Sequence, residues 1–263
     1  MKNSFYSIGT FGDTIYSLCV FKMLGGGDCY IKLNGINEQT RKLFGRDPDS
    51  CHKDRYTQAD ADFIMPLLKA QDYLDTVDIY TGQPCNISFQ DHWRMHLISG
   101  WQGNQTECYA LTQGMDIHDP ENHKKLILEP WLTPLEPIRI PGRPVVVNRT
   151  DRYLFGCKGD QYREWVDFGL GDYGIFVGTR QEHDAFENEF KVKIPYHPVS
   201  DMLELAKIIQ GCEQFMGNQS VALSIAIGLG KTFYCEIRKD FEAIRTPHGL
   251  GDVWFPRVNG HYF

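Results

Sequence analysis

The sequence contains no apolar run approaching the roughly 20 residues that cross a bilayer, which argues against a membrane-spanning helix. Its beginning, "MKNSFYSIGTFGD", has no apolar core or small-residue cleavage site of a secretory signal, so the expected location is cytoplasmic. There is no C-x-x-C pair among the eight cysteines Cys19, Cys29, Cys51, Cys85, Cys108, Cys157, Cys212 and Cys235. That spacing argues against a zinc knuckle or a disulfide framework and for reduced, buried thiols. Sequons start at Asn86, Asn104, Asn148 and Asn218, but without secretion they never meet the modifying enzyme. Positive charge is also scarce. With 27 basic against 34 acidic residues the formal net charge is −7, so a polyanionic partner needs a local basic patch. Neither an internal repeat nor a low-complexity segment is found.

What is present is an ordinary globular composition, 42% hydrophobic and 23% charged, in 263 residues. That length suits two lobes of roughly 100 to 150 residues each. The opening reads strand, glycine loop, helix, strand: "SFYSI", "GTFGD", "TIYSLCVFKML", "GGGD", "CYIKLN". This is the βαβ unit of a parallel sheet. A further helix is expected at "ADADFIMPLLKAQ", kinked or shortened by Pro66, then a strand at "TVDIYTG" and a helix around Thr106 to Gly114. The stretch "EPWLTPLEPIRIPGRP" holds five prolines between Pro130 and Pro144 and reads as a connection between domains. Beyond it the strand and helix rhythm restarts from "PVVVNRT" to "KTFYCEI". The expected class is therefore α/β, with two Rossmann-like lobes whose parallel sheets face a cleft. The first lobe spans 1–135, the second 136–245, and a tail of 246–263 is expected to pack back on the first.

In open parallel sheets ligands sit beyond the carboxyl ends of the strands, where helix first turns offer free N–H groups. Two polar elbows fall there. Gly217, Asn218, Gln219 and Ser220 precede a helix so apolar that little of it can face water, and their backbone donors suit a diphosphate. An ordinary helix start, capped by Ser220 or Asn218, accounts for the same residues equally well. Arg149 and Arg152 follow the strand "VVVN", and a guanidinium fork suits phosphate, although a solvated pair is the plainer reading. Gly178 and Thr179 end another strand, where backbone can approach a planar base. In the first elbow Asp13 follows Gly12 at a helix start, placed to act as a general base or merely to cap.

The segments "FGDTIYSLCVFKML" and "GCEQFMGNQSVALSIAIGLGKTFYCE" resemble the two signature segments of heptosyltransferase-like glycosyltransferases of GT-B architecture. The resemblance covers about a fifth of the chain closely read. It implies that Gly12 and Asp13 correspond to the family's Gly-Asp, with Asp13 the catalytic base. It further implies that Gly217, Asn218 and Ser220 hold the diphosphate of a nucleotide sugar. Gln219, Val221 and Ser224 depart from the acid, glycine and histidine of the family pattern. By this resemblance an acceptor hydroxyl attacks the anomeric carbon, and the nucleoside diphosphate leaves against the Ser220 helix start and the arginines, without metal or bound cofactor.

Three other patterns are set aside. "GLGKT" lacks the earlier glycine of a P-loop, because Ile225 stands there. "DAD" at 60 to 62 reads as a helix cap and not a metal site. His92 and His96 share a helical face but lack the Glu of H-E-x-x-H. Trp93 and Arg94, with Trp101, are candidates for the acceptor side. The acceptor is expected to be a saccharide or a hydroxylated base in DNA; the latter needs Arg41 to Arg55 and Lys124-Lys125 to converge. The alternatives are a nucleotide-sugar hydrolase or epimerase, and a non-catalytic nucleotide-binding module.

Overall fold

The computed structural model describes residues 2–35, 55–92, 104–151, 160–236 and 251–254. Backbone contacts divide the chain into two units that meet between Thr133 and Pro134, inside the proline-rich stretch.

The first unit is built on a three-stranded sheet in the order β1-β2-β3, all parallel, from β1 (Ser4–Ser7), β2 (Gly27–Ile31) and β3 (Leu74–Ile79). Between β1 and β2 lies α1 (Phe11–Met23), of which every residue from Thr14 to Phe21 is buried. A helix buried around its whole circumference has no amphipathic stripe, which is why its sequence shows none. It packs against α3 (Gln105–Thr112) and α4 (Pro120–Ile127), while α2 (Gln58–Lys69) packs against β3 and carries Pro66 without ending there. Phe5 meets Phe21 with ring centroids 4.6 Å apart and Phe89 at 5.2 Å, and Phe89 meets Tyr109 edge-on at 5.6 Å. These rings join the sheet to the helices.

The glycine run after α1 is required by close approach. At Gly27, with φ +136°, an added Cβ would lie 2.2 Å from the Asn3 carbonyl oxygen. The same N-terminal segment sets the β1–β2 register, because Asp28 N donates to that oxygen at 2.9 Å. Gly27→Ala is accordingly expected to cost about 2 to 4 kcal/mol from strained backbone and overlap together. Urea unfolding followed by circular dichroism should show a lower midpoint at an unchanged slope.

The second unit carries a six-stranded, all-parallel sheet in the order β6-β5-β4-β7-β8-β9. Its strands are β4 (Val145–Asn148), β5 (Gly174–Val177), β6 (Tyr196–His197), β7 (Gln214–Asn218), β8 (Phe233–Glu236) and β9 (Gly251–Trp254). Counted within the unit this is 3-2-1-4-5-6, the doubly wound dinucleotide-binding order, in which the direction of winding reverses between β4 and β7. The helices are α5 (Asp160–Asp167), the single turn α6 (Leu170–Tyr173), α7 (Arg180–Phe190), α8 (Met202–Gly211) and α9 (Val221–Gly228). Val145, Val147, Phe176, Phe186, Phe190 and Met216 form much of one core layer. Every residue of α9 from Ala222 to Gly228 is buried, so the apolar run read in the sequence is interior and not membrane-facing. Among the described residues no helix is long and apolar enough to cross a membrane.

Two boundaries differ from the sequence expectation. The first helix begins at Phe11, not after Asp13, because Thr10 takes the capping position, which puts Gly12 and Asp13 inside the first turn. Gly251–Trp254, in the tail expected to pack on the first lobe, instead pairs in parallel with β8 and completes the edge of the second sheet. A hydrogen-bonded edge strand satisfies a row of β8 backbone groups that packing across another lobe would leave unpaired.

Candidate functional site

In the second unit, β4 and β7 are neighbours at the point where the sheet reverses, with Asn148 level with Gly217. The loops leaving them are tied together. The Thr150 N–H donates to Asn218 Oδ1 at 3.0 Å, and Asn218 Nδ2 returns a bond to the Thr150 carbonyl at 3.0 Å. The Ser220 hydroxyl donates to Asn148 Oδ1 at 3.0 Å, and Asn148 Nδ2 donates to the Val177 carbonyl at 2.8 Å. Gly217 permits this closeness: a Cβ there would lie 2.7 Å from the Phe215 ring and 2.8 Å from the Asn148 carbonyl oxygen.

Ser220 is the N-cap of α9 but makes no side-chain cap bond; its hydroxyl points to Asn148 instead of to the first-turn N–H groups. Other helix starts of this unit and the first behave differently. Thr57 with Asp60, Asn104 with Glu107 and Thr179 with Glu182 each close a reciprocal capping box. The start of α9 therefore presents its first-turn donors with no capping oxygen from Ser220, at the positive end of the helix and beside the reversal point. That is a place where an anion gains both hydrogen bonds and dipole attraction.

Gly178 and Thr179 leave β5 nearby. Gly178, at φ +145°, has Asn148 Nδ2 and Glu182 Oε2 each 3.0 Å from where a Cβ would stand, and Thr179 caps α7. Arg149, expected to reach a phosphate, is held elsewhere. Its Nε donates to Glu236 Oε2 at 2.7 Å and its Nη1 to Glu189 Oε2 at 2.6 Å, with its guanidinium carbon 5.4 Å from the Tyr162 ring centroid and 5.0 Å from that of Phe190. The Arg149 and Glu236 side chains are 3% and 0% exposed. Burial disfavours the guanidinium's charge, but the Glu236 carboxylate outweighs it and holds the proton affinity above the usual arginine value. A planar fork bonded on two edges and covered on its face has little left for a ligand. Arg152, Trp93 and Arg94 lie outside the described residues.

In the first unit Asp13 is the third residue of α1, the position from which the acid of a capping box reaches back to the N-cap N–H. Here the carboxylate turns to side chains. Thr10 Oγ1 donates to Asp13 Oδ2 at 3.0 Å, Gln105 Nε2 donates to Oδ1 at 3.3 Å, and His92 Nε2 lies 3.9 Å from Oδ1. The Thr10 carbonyl accepts from the Tyr56 hydroxyl at 3.2 Å, which fixes the cap from below. Asp13 keeps 22% of its side chain exposed, whereas His92 is buried at 6%. The carboxylate is thus held by Thr10 and Gln105, with His92 beside it, and remains partly exposed. Gly12 leaves open space beside it, with nothing within 4 Å of an added Cβ.

Asp13 and the Gly217 to Ser220 elbow stand out in the sequence, but the residues bonded to them do not. Gln105 and Asn148 carry a faint sequence signal, being polar residues inside otherwise buried stretches. The role of His92 has none, since its partner is 79 positions earlier in the sequence. The acid pair at 60 to 62 is a helix start: Asp60 closes the Thr57 box and Asp62 accepts from Gln58 at 2.8 Å. Among the described residues no group of three or more His, Cys, Asp or Glu could hold a metal ion.

No protein-family model and no curated protein matches the sequence. Solved structures do. Escherichia coli heptosyltransferase WaaC with ADP-2-deoxy-2-fluoro heptose aligns over 99% of this chain and 94% of its own, at 11% identity and a TM-score of 0.50. Escherichia coli ADP-heptose lps heptosyltransferase II aligns over 100% and 92%, at 11% identity and 0.48. A glycosyl transferase family 9 protein from Veillonella parvula aligns over 97% and 86%, at 10% identity and 0.42. At such identities the likeness is one of fold, and by that fold the chain is similar to the heptosyltransferases of GT-B architecture.

Proposed function

We propose that the chain is a glycosyltransferase that moves a sugar from a nucleotide-diphosphate sugar to an acceptor hydroxyl. The observation that carries this reading is the start of α9, whose N-cap Ser220 makes no side-chain cap bond and points its hydroxyl to Asn148 at the reversal point of the sheet. The second unit binds the donor, its diphosphate taken by backbone N–H groups around Gln219 to Ala222, with Gly178 and Thr179 beside the nucleoside. The first unit supplies the base: Asp13 takes the acceptor proton as the acceptor oxygen forms its bond to the anomeric carbon. The carbon–oxygen bond to the nucleoside diphosphate breaks, and the departing charge is received by the α9 N-terminus. Donors of the ADP-sugar type are the first to try, because the WaaC structure contains an ADP-sugar analogue. The acceptor is a saccharide or a hydroxylated DNA base, and a steep fall in rate with added salt would select DNA.

A thermal-shift panel tests donor binding. ADP, UDP, GDP, CDP and their sugar conjugates are added to the intact chain, and a nucleotide present at 100 times its Kd stabilises the folded state by about 2.7 kcal/mol. At least one is expected to raise the melting temperature by several degrees. Ser220→Asp should abolish that rise, because its carboxylate repels the diphosphate from the helix start, and the unliganded melting temperature of the variant reports separately the loss of the hydroxyl's bond to Asn148. A panel that shifts nothing overturns the reading. The departures at Gln219, Val221 and Ser224 favour one second reading, a nucleotide-binding module without transfer. In that case nucleotides shift the melting temperature but no sugar is transferred.

A further inference from the structure

His92 is buried for reasons that an ordinary core histidine does not need. Its ring stacks on Tyr109 with centroids 4.5 Å apart and planes at 30°, and Nδ1 lies 2.9 Å from the Phe89 carbonyl oxygen. A carbonyl only accepts, so Nδ1 carries the hydrogen and the tautomer is fixed. In the neutral ring the Nε2 lone pair then faces Asp13 Oδ1 at 3.9 Å, beyond hydrogen-bond length but within ion-pair range. A lone pair opposite a carboxylate is relieved by a single proton placed on either group. Gln105 and Thr10 fix the carboxylate from its other sides, so the pair cannot simply turn apart.

The geometry points to Asp13 and His92 as one proton-holding pair, in which His92 accepts at Nε2 the proton that Asp13 removes from the acceptor hydroxyl. The inference rests on Asp13 being the base of the proposed reaction. The balance is simple. The acceptor O–H bond breaks with the proton passing to the Asp13 carboxylate, and its electron pair forms the bond to the anomeric carbon. When the two groups close to hydrogen-bond length the proton moves to Nε2, giving an imidazolium held by the Phe89 carbonyl and the restored carboxylate, and it returns to water by way of the partly exposed Asp13 carboxylate before the next turnover. A neighbouring imidazole gives the proton that Asp13 removes a second place to go. His92 is thus a positioning and proton-accepting partner acting through Asp13.

Among the described residues, Asp13 from α1, Tyr109 from α3 and the adjacent Asp91 face the ring. Burial lowers the ring's proton affinity below the usual imidazole value, while Asp13 first, then the Phe89 carbonyl and Asp91, oppose it. The Tyr109 phenol is itself pushed up by burial, so it remains neutral.

The test is a pH titration of the intact chain by NMR, with 13C in aspartate carboxyl groups and 15N in histidine rings. Asp13 and His92 are assigned from the variants Asp13→Asn and His92→Gln. Coupled groups share their inflections, so the Asp13 carboxyl signal should show a second inflection at the His92 midpoint and lose it in His92→Gln. The His92 midpoint should fall by about 1 to 3 pH units in Asp13→Asn, as expected when a charge within 4 to 6 Å is removed, and much less in the control Asp91→Asn. If Asp13→Asn does not fold, Asp13→Ala serves the same comparison. Independent titration of the two groups, or an unmoved His92 midpoint, overturns the pairing and leaves the base role of Asp13 standing. Coupled titration in a protein whose transfer rate survives Asp13→Asn supports the pair but overturns the reaction it was placed in.

Discussion

Asp13→Asn is expected to lower the rate of sugar transfer by about 10² to 10⁴ while leaving nucleotide-induced thermal stabilisation unchanged. The amide has the shape of the carboxylate and its oxygen still accepts from Thr10 or Gln105, so the first turn of α1 should hold. What it loses is the capacity to take a proton. The loss should therefore appear in kcat and not in the donor KM, because the base touches the acceptor and not the diphosphate. Initial rates of transfer at saturating donor, compared with the wild-type chain, decide the matter. A variant within tenfold of wild type would show that Asp13 is a structural residue of the helix start.

The second large effect is on stability and separates two roles of one residue. Arg149→Met should destabilise the second unit by about 3 to 5 kcal/mol, because it removes the guanidinium that faces the Glu236 carboxylate, a group 0% exposed. The double variant Arg149→Met with Glu236→Leu should recover most of the loss, since replacing both partners by apolar groups removes the buried charge. Glu189, with 37% of its side chain exposed, can return to water when its partner is gone. Urea unfolding of the three chains measures this directly. Had Arg149 been a phosphate ligand, Arg149→Met would instead diminish the nucleotide-induced thermal shift and leave the unliganded stability near wild type.

Periodicity and punctuation in the sequence carried the architecture a long way. Alternation of strand and helix beyond Val145 was enough for a parallel sheet, because each strand buried on both faces is written as an apolar run such as Val145 to Val147. Five prolines in sixteen residues located the junction between the units, since proline withholds a donor and resists both helix and sheet. The helix boundaries were less legible. Thr10 and Asp13 have the spacing of a capping box, and nothing local tells whether the carboxylate turns back to the Thr10 backbone or outward to Gln105.

The sequence by itself determined the class of fold and singled out Asp13 and Gly217 to Ser220 as polar elbows that open helices. Only the tertiary structure decided what those elbows are free to do. It pointed the Ser220 hydroxyl to Asn148 and not to the first turn of α9, and it bound Arg149 to Glu236 and Glu189. It also set His92 and Gln105 against Asp13, across 79 and 92 positions of chain. The reason is physical. Secondary structure follows from interactions a few residues apart, which composition and spacing encode, whereas the partner of a buried polar group is whichever donor or acceptor the packed sheet and helices bring within about 3 Å, and no local pattern specifies it.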